Sequence, residues 1–205
     1  MENLQIGIYG WQRADLDGQF YPEDLPSDWR LDYYSNAFRV VLVPQLEWEV
    51  WDEEDLEAIL EAVEAPFYFY FALEAAFTTE VLSQLSKVVE TLKTQACGVV
   101  IWSEKPFEHT EIAGLPVTLV STKYKLPGWS WQNQSLWMSG EPLAYLPDLT
   151  VDAKEQAALL KAFMQSLVES AFIKKELAAP CIVGGDKIDI AQVTNLKVIG
   201  EFLGY

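Results

Sequence analysis

Hydrophobic positions along the chain fall into two alternating patterns. Seven short runs are almost wholly apolar: Gln5–Tyr9, Arg39–Val43, Phe67–Phe71, Gly98–Trp102, Val117–Ser121, Ser135–Met138 and Cys181–Val183. Continuous apolar runs of this length mark strands buried on both faces, as in parallel sheets; a sheet wetted on one side would alternate instead. Between the runs the period lengthens to that of a helix. In Trp51–Ala65, Leu56, Ile59, Leu60 and Val63 recur at i, i+3, i+4 and i+7, behind an acidic opening that suits the positive end of a helix dipole. In Thr78–Ala96, a Thr that can cap precedes a stripe of Val81, Leu82, Leu85, Val88, Val89 and Leu92.

A third helix starts at Thr150 or Asp152 and continues to about Phe172, with Glu155 three residues after Asp152 as in a capping box. A last helix spans about Ile190–Leu203 before Gly204, and a shorter one spans Ser27–Asn36. Strand and helix in alternation predict an α/β fold with right-handed crossovers. No repeat, low-complexity tract or linker interrupts residues 1–205, which read as one domain. The alternation lapses at Leu115–Pro147, where "KLPGWSWQNQS" is rich in turn formers and Trp and has no helical period.

Composition narrows the partners. The chain has 205 residues, half of them hydrophobic, with eight Trp, enough for one large core. Its 31 acidic and 14 basic residues give a net charge of −17. Such a chain repels phosphate backbones, so no nucleic-acid partner is expected, and anionic membrane surfaces are disfavoured alike. Cys97 and Cys181, set among apolar residues, read as buried thiols in a reducing, cytoplasmic setting. The N-terminus lacks the pattern of a signal peptide, and no apolar stretch reaches the ~18 residues of a membrane span.

The segments "IGIYGW" and "FYPEDLPSDWRLDYYSNAFRVV" carry a resemblance. Gly10, Trp11, Phe20, Tyr21, Pro22, Leu31, Tyr33, Tyr34 and Phe38 match, in order and spacing, the start of the YecE-like family of uncharacterised proteins (domain of unknown function 72). Beyond residue 80 the similarity is one of element order. The resemblance implies a TIM-like β/α barrel, here shortened or irregular, with about seven mostly parallel strands. The missing elements of the family pattern fall in the Trp-rich segment 115–147. That family carries polar residues at several strand ends. This chain has Leu42, Ala72 or Leu73, Val120 and Thr122 near those positions, "WMSG" (Trp137–Gly140) where the family has Arg-x-His-Gly, and "VGG" (Val183–Gly185) where it has an Asn pair.

In a β/α barrel, ligand groups sit where strands end. Those positions hold Tyr9, Trp11, Gln45, Glu47, Glu74, Ser103, Glu104, Lys105, Lys123, Ser139, Glu141 and Asp186. Glu47, Glu74, Glu104 and Asp186 are the candidate catalytic carboxylates, since paired carboxylates can act as acid and base. Tyr9, Trp11, Tyr21, Trp102, Lys105 and Lys123 are the candidate ligand-binding residues. A single histidine, His109, excludes multi-His metal sites, and no metal is expected. "GGDK" (Gly184–Lys187) could cradle a phosphate or simply form a turn. No Walker or dinucleotide fingerprint calls for a cofactor. Trp129, Trp131 and Trp137 could stack a ligand, plug the shortened region, or form a homodimer face. Two readings compete: a catalytically degenerate barrel that binds a small molecule or a protein partner, and a carboxylate-dependent hydrolase, with or without a divalent metal, at the barrel mouth.

Overall fold

The structure, a computed structural model, describes residues 4–63, 66–170 and 178–205. Ten strands form one mixed sheet: β1 (Leu4–Tyr9), β2 (Val40–Val43), β3 (Tyr68–Glu74), β4 (Ala96–Trp102), β5 (Glu111–Ile112), β6 (Leu115–Ser121), β7 (Trp129–Asn133), β8 (Leu136–Gly140), β9 (Ala144–Leu146) and β10 (Ala179–Val183). The helices are α1 (Arg30–Ala37), α2 (Gln45–Trp48), α3 (Glu53–Ala62), α4 (Thr79–Leu92), α5 (Ala153–Glu169) and α6 (Ile190–Phe202). The sheet order is β7-β8-β6-β4-β3-β2-β1-β10-β9, with β5 beside β6.

All pairings from β6 round to β9 are parallel, whereas β5–β6, β6–β8 and β7–β8 are antiparallel. The expected count of about seven mostly parallel strands is therefore corrected to ten in a mixed sheet. The physical reason lies in β7, whose Trp129 and Trp131 are buried while Ser130 and Gln132 are exposed. That is the period-two pattern of an antiparallel ribbon, in place of a continuous apolar run.

The sheet curls into a nearly closed barrel. Tyr9 ends β1 and Trp102 ends β4, three strand spacings apart, which is roughly 14 Å on a flat sheet. Their rings lie 5.9 Å apart. Trp102 also meets Tyr145 of β9 at 5.1 Å, although five spacings, roughly 24 Å on a flat sheet, separate β4 from β9. Only strong curvature brings these rings together over the strand ends.

The five expected helices form as α1, α3, α4, α5 and α6, with α4 ending at Leu92 before β4 starts at Ala96; the one-turn α2 was not expected. The Asp152 side chain accepts from the Lys154 and Glu155 amides at the start of α5, while Glu155 turns to the Thr150 hydroxyl, so only half of the expected box exists. The full capping box is Asp52 with Asp55, opening α3. The expected ends at Glu64–Ala65 and Ala171–Phe172 lie outside the described residues. Cys181 is buried, which pushes its thiol up to about 12, whereas Cys97 is only half-buried, contrary to expectation. Among the described residues no helix is long and apolar enough to cross a membrane.

The buried face of β7, the last strand of the sheet path, is covered by α5. Phe163 sits 6.0 Å from the Trp129 ring and 5.2 Å from the Trp131 ring, and the Trp129 indole donates to Ser166 Oγ at 3.0 Å. Trp129 and Trp131 are thus buried within the chain, and Trp137 is half-buried beneath Lys125.

Candidate ligand site at the C-terminal mouth

The C-terminal strand ends are organised by the first loop, Gly10–Pro22. Gly10 takes φ +76°, a conformation that side chains resist. A Cβ at Gly10 would lie 3.3 Å from the Pro44 ring and 3.4 Å from Glu47 Oε1, so its absence lets the second loop close over the first. Trp11 turns inward, 2% exposed, against Trp51 and Phe69. The Tyr21 hydroxyl donates to the Trp11 carbonyl at 2.6 Å. Trp11 and Tyr21, both expected to touch ligand, are therefore packing residues that hold the loop in place.

The same loop is tied to the last one. The Arg13 guanidinium binds both oxygens of Asp15 at 2.8 and 2.9 Å and donates to the Asp186 carbonyl at 2.9 Å. Asp15 accepts from the Ile188 amide at 2.7 Å, and Gln19 bonds the Ile188 carbonyl and the Ile190 amide. Partial burial pushes the Asp15 carboxyl up, but the bonds from Arg13 and Ile188 outweigh it and hold the group below its ordinary range.

These bonds also answer the question posed by "GGDK". The amides that begin α6 are taken by protein groups, with Asp189 accepting from Ala191 and Gln192. The glycines serve close packing: a Cβ on Gly184 would collide with the Tyr145 hydroxyl, and one on Gly185 with the Pro147 carbonyl. A phosphate cradle at this helix start is not what the segment builds.

The four candidate carboxylates occupy different surroundings. Glu104 is exposed and binds the Thr122 amide and hydroxyl at 2.8 and 2.6 Å, which lowers its pKa. Glu74 is exposed at the end of β3, where its amide donates to Gln45 Oε1 at 2.7 Å. Asp186 is exposed and contributes its backbone carbonyl to Arg13. Glu47 differs. It is half-buried on α2, and Oε2 is buried without a hydrogen-bond partner among the described residues. Burial pushes its carboxyl up to about 7, against the pull of the Arg13 charge. Among the described residues, no group of three or more His, Cys, Asp or Glu side chains could hold a metal ion.

Glu47 stands beside the aromatic cap. The Tyr9 hydroxyl is raised chiefly by burial, then by Tyr145 and Glu47, while Arg13 lowers it. The Tyr145 hydroxyl is likewise raised chiefly by burial and held back by the Gly185 amide and Arg13. Tyr9, Arg13, Glu47 and Tyr145 thus share one electrostatic neighbourhood at the edge of the Tyr9–Trp102–Tyr145 rings. Of the expected ligand residues, Tyr9 and Trp102 belong to it. Lys105 and Lys123 are exposed, and their backbone amides donate to Ser103 Oγ and Ser121 Oγ. Arg13 and Tyr145 were not singled out by sequence. Arg13 lies in the first loop, off the strand ends, and Tyr145 in a strand too short to register. His109 is exposed, with ring contacts to Phe77 and Phe107.

A family model described as "Protein of unknown function DUF72" matches residues 5–134. No curated protein matches the chain. Among solved structures, the chain is similar to a DUF72 family protein from Thermotoga maritima, with 12% identity, a TM-score of 0.55, and coverage of 98% of this chain and 99% of that one. A DUF72 family protein from Enterococcus faecalis is 11% identical, with a TM-score of 0.35 and coverage of 97% and 95%. The first likeness supports the fold.

Proposed function

The chain belongs to the DUF72 family of proteins of unknown function, and we propose that it is a shortened, TIM-like binding barrel that takes a small, uncharged, ring-shaped molecule at its C-terminal mouth. The observation that carries this reading is the buried, unpartnered Oε2 of Glu47. Buried polar atoms nearly always have partners, so this one is suited to a hydrogen bond from a ligand. The half-exposed Tyr9 and Trp102 rings beside it supply flat apolar surface for a sugar or a nucleobase. A neutral ligand fits better than an anion, because a carboxyl with a pKa near 7 is half charged at neutral pH.

Loss of polar strand ends favours binding over catalysis. Leu42, Ala72, Leu73 and Val120 are buried core residues. The hydrolase reading keeps one favourable observation, since a carboxyl raised to about 7 can deliver a proton at neutral pH. Its difficulty is the second carboxylate: Arg13 is the charged group that acts on Glu47, and Glu104 is engaged by Thr122. A protein partner has less to hold on the Trp-rich segment, where Trp129 and Trp131 are already buried.

Saturation-transfer NMR on the full chain would test this, with glucose, N-acetylglucosamine, adenine and uracil as probes. One class should receive saturation, and Glu47→Ala and Trp102→Ala should each abolish it. Transfer that survives both substitutions, or none from any probe, overturns the proposal. Turnover of 4-nitrophenyl glycosides that Glu47→Gln removes would favour the hydrolase instead.

A further inference from the structure

We propose that the cavity at the opposite end of the barrel, where α1 and α6 flank the start of β1, binds a small oxyanion through Arg39 and Lys197. The cavity has a volume of about 230 Å³ and is walled by Gln5 of β1, Asn36 and Ala37 of α1, Arg39, and Lys197 and Glu201 of α6. It falls below the roughly 300 Å³ at which drug-sized pockets begin, so its occupant is small.

Charge distribution makes this cavity unusual in this chain. Acidic residues outnumber basic ones 31 to 14, yet two of the 14 converge here. Both are half-buried. The ion pairs among the described residues are Arg13–Asp15 and Arg30–Asp17, and neither includes Arg39 or Lys197.

The two cations play different parts. The Lys197 ammonium donates to the Ala37 carbonyl at 3.0 Å. That carbonyl ends α1, where the helix dipole is negative, so the bond fixes the ammonium at the cavity wall. A lysine has three donors, and two remain for a ligand. This bond alone could explain Lys197 as a helix cap, but it does not explain Arg39. Among the described residues the Arg39 guanidinium makes no hydrogen bond and no ion pair, although it carries five donors in a planar fork. A carboxylate or a phosphate matches that fork with two parallel bonds. The Asn36 side-chain amide commits one of its two N–H donors to the Asp32 carbonyl at 2.8 Å, so the positive charge that draws an anion comes from the two cations. Glu201, exposed at the rim, opposes binding and limits its strength.

The test is thermal denaturation of the full chain with sodium phosphate, sodium succinate and sodium chloride at matched ionic strength. A ligand that binds only the native state raises the midpoint in a saturable way. Phosphate, succinate or both should do so, and chloride should not. Response to phosphate alone identifies a phosphate ester as the natural class, and response to succinate alone a carboxylate. Arg39→Gln should weaken the apparent affinity by at least about tenfold. Glu201→Gln should tighten it by about threefold, a gain that a merely structural role would not produce. Should Arg39→Gln fail to fold, Arg39→Lys keeps the charge, loses the fork, and should still bind more weakly than the wild type. Equal shifts with all three salts, or an undiminished response in the Arg39 variant, overturns the proposal. Glu47→Gln should leave the response intact, so this site and the mouth are judged separately.

Discussion

The two halves of the barrel solve the same burial problem with different parts. From β1 to β4 each strand is followed by helix before the next begins, and every pairing is parallel. From β6 to β9 no helix intervenes, and β8 and β7 fold back as an antiparallel ribbon. In the first half, cover for the sheet comes from the neighbouring crossover. In the second it comes from α5, downstream in the chain, through Phe163 lodged against Trp129 and Trp131. A half that borrows its cover depends on a few large long-range contacts. A half that carries its own spreads the load.

The largest expected effect follows from that dependence. Phe163 is fully buried, and Phe163→Ala should destabilise the protein by about 3–5 kcal/mol, the range for a large aromatic removed from a core. Urea denaturation followed by Trp fluorescence measures it. If the two halves are as different as their construction suggests, the emission of the variant should also change before unfolding, because two indoles lose their cover. An effect below about 1 kcal/mol would mean that the ribbon does not rest on α5.

In the first half the comparable test is milder. The Tyr34 hydroxyl, fully buried, donates to the Val40 carbonyl at 2.8 Å and accepts from the Ile8 amide at 3.1 Å. It pins α1 to β1 and β2 at once. Tyr34→Phe leaves the Ile8 amide without that partner and should cost about 1–3 kcal/mol. A loss larger than that of Phe163→Ala would reverse the ranking of the halves.

Glu47 offers a smaller effect of opposite sign. Its folded pKa of about 7 lies above the ordinary 4.5, so the proton is held more tightly in the folded state. Stability from this group is full below about pH 4.5, declines as the pH rises, and is lost by the time the carboxyl ionises near 7. Glu47→Gln removes the dependence. The variant should match the wild type near pH 4.5 and exceed it by on the order of 1–2 kcal/mol at pH 8, allowing for partial exposure. Parallel stability curves for the two proteins across this window would show that Glu47 is not desolvated. A gain in stability on removing a site residue is the pattern expected where function holds a group in unfavourable surroundings.

What could be read from the sequence divides along the same line. Strands β1 to β4 were legible because their apolar runs are continuous, α3 and α4 because their stripes are clean, and α6 because Gly204 marks its end. Half of the ribbon was also legible, since the run Ser135–Met138 falls on β8, but β7 was not, because "WSWQN" alternates, and β9 was missed because Ala144–Leu146 is three residues long. The signal in Trp129, Ser130, Trp131 and Gln132 was present, but it has period two in a chain whose other strands do not. The mouth was half legible. Its position followed from strand ends, which placed Tyr9, Glu47 and Trp102. The difference between Glu47 and Glu74 did not, because burial of one carboxylate depends on how Gly10, Pro44 and Arg13 close around it. Asp15 and Asp17 belong to no motif, yet each holds an arginine, Arg13 and Arg30. Arg13 and Asp15 then reach the Asp186 carbonyl and the Ile188 amide, over 170 residues away, and sequence spacing carries no trace of such ties.

The smallest expected effect concerns what remains uncovered in the second half. Trp137 of β8 is half-buried, and α5 is not among its ring contacts; instead the Lys125 ammonium lies 2.9 Å from its ring centre. A lysine over an indole face is attracted by the ring quadrupole and covers apolar surface with its methylene stem. Lys125→Ala should cost only about 0.5–1 kcal/mol, as exposed cation–π contacts do. Lys125→Met keeps the stem and removes the charge, so the pair of variants separates cover from electrostatics. If cover dominates, as the borrowed construction of this half implies, Lys125→Met should recover most of the stability while Lys125→Ala does not. Equal losses in the two variants would assign the contact to charge. The ribbon would then be held at this edge by the same kind of interaction that ties the first loop to the last.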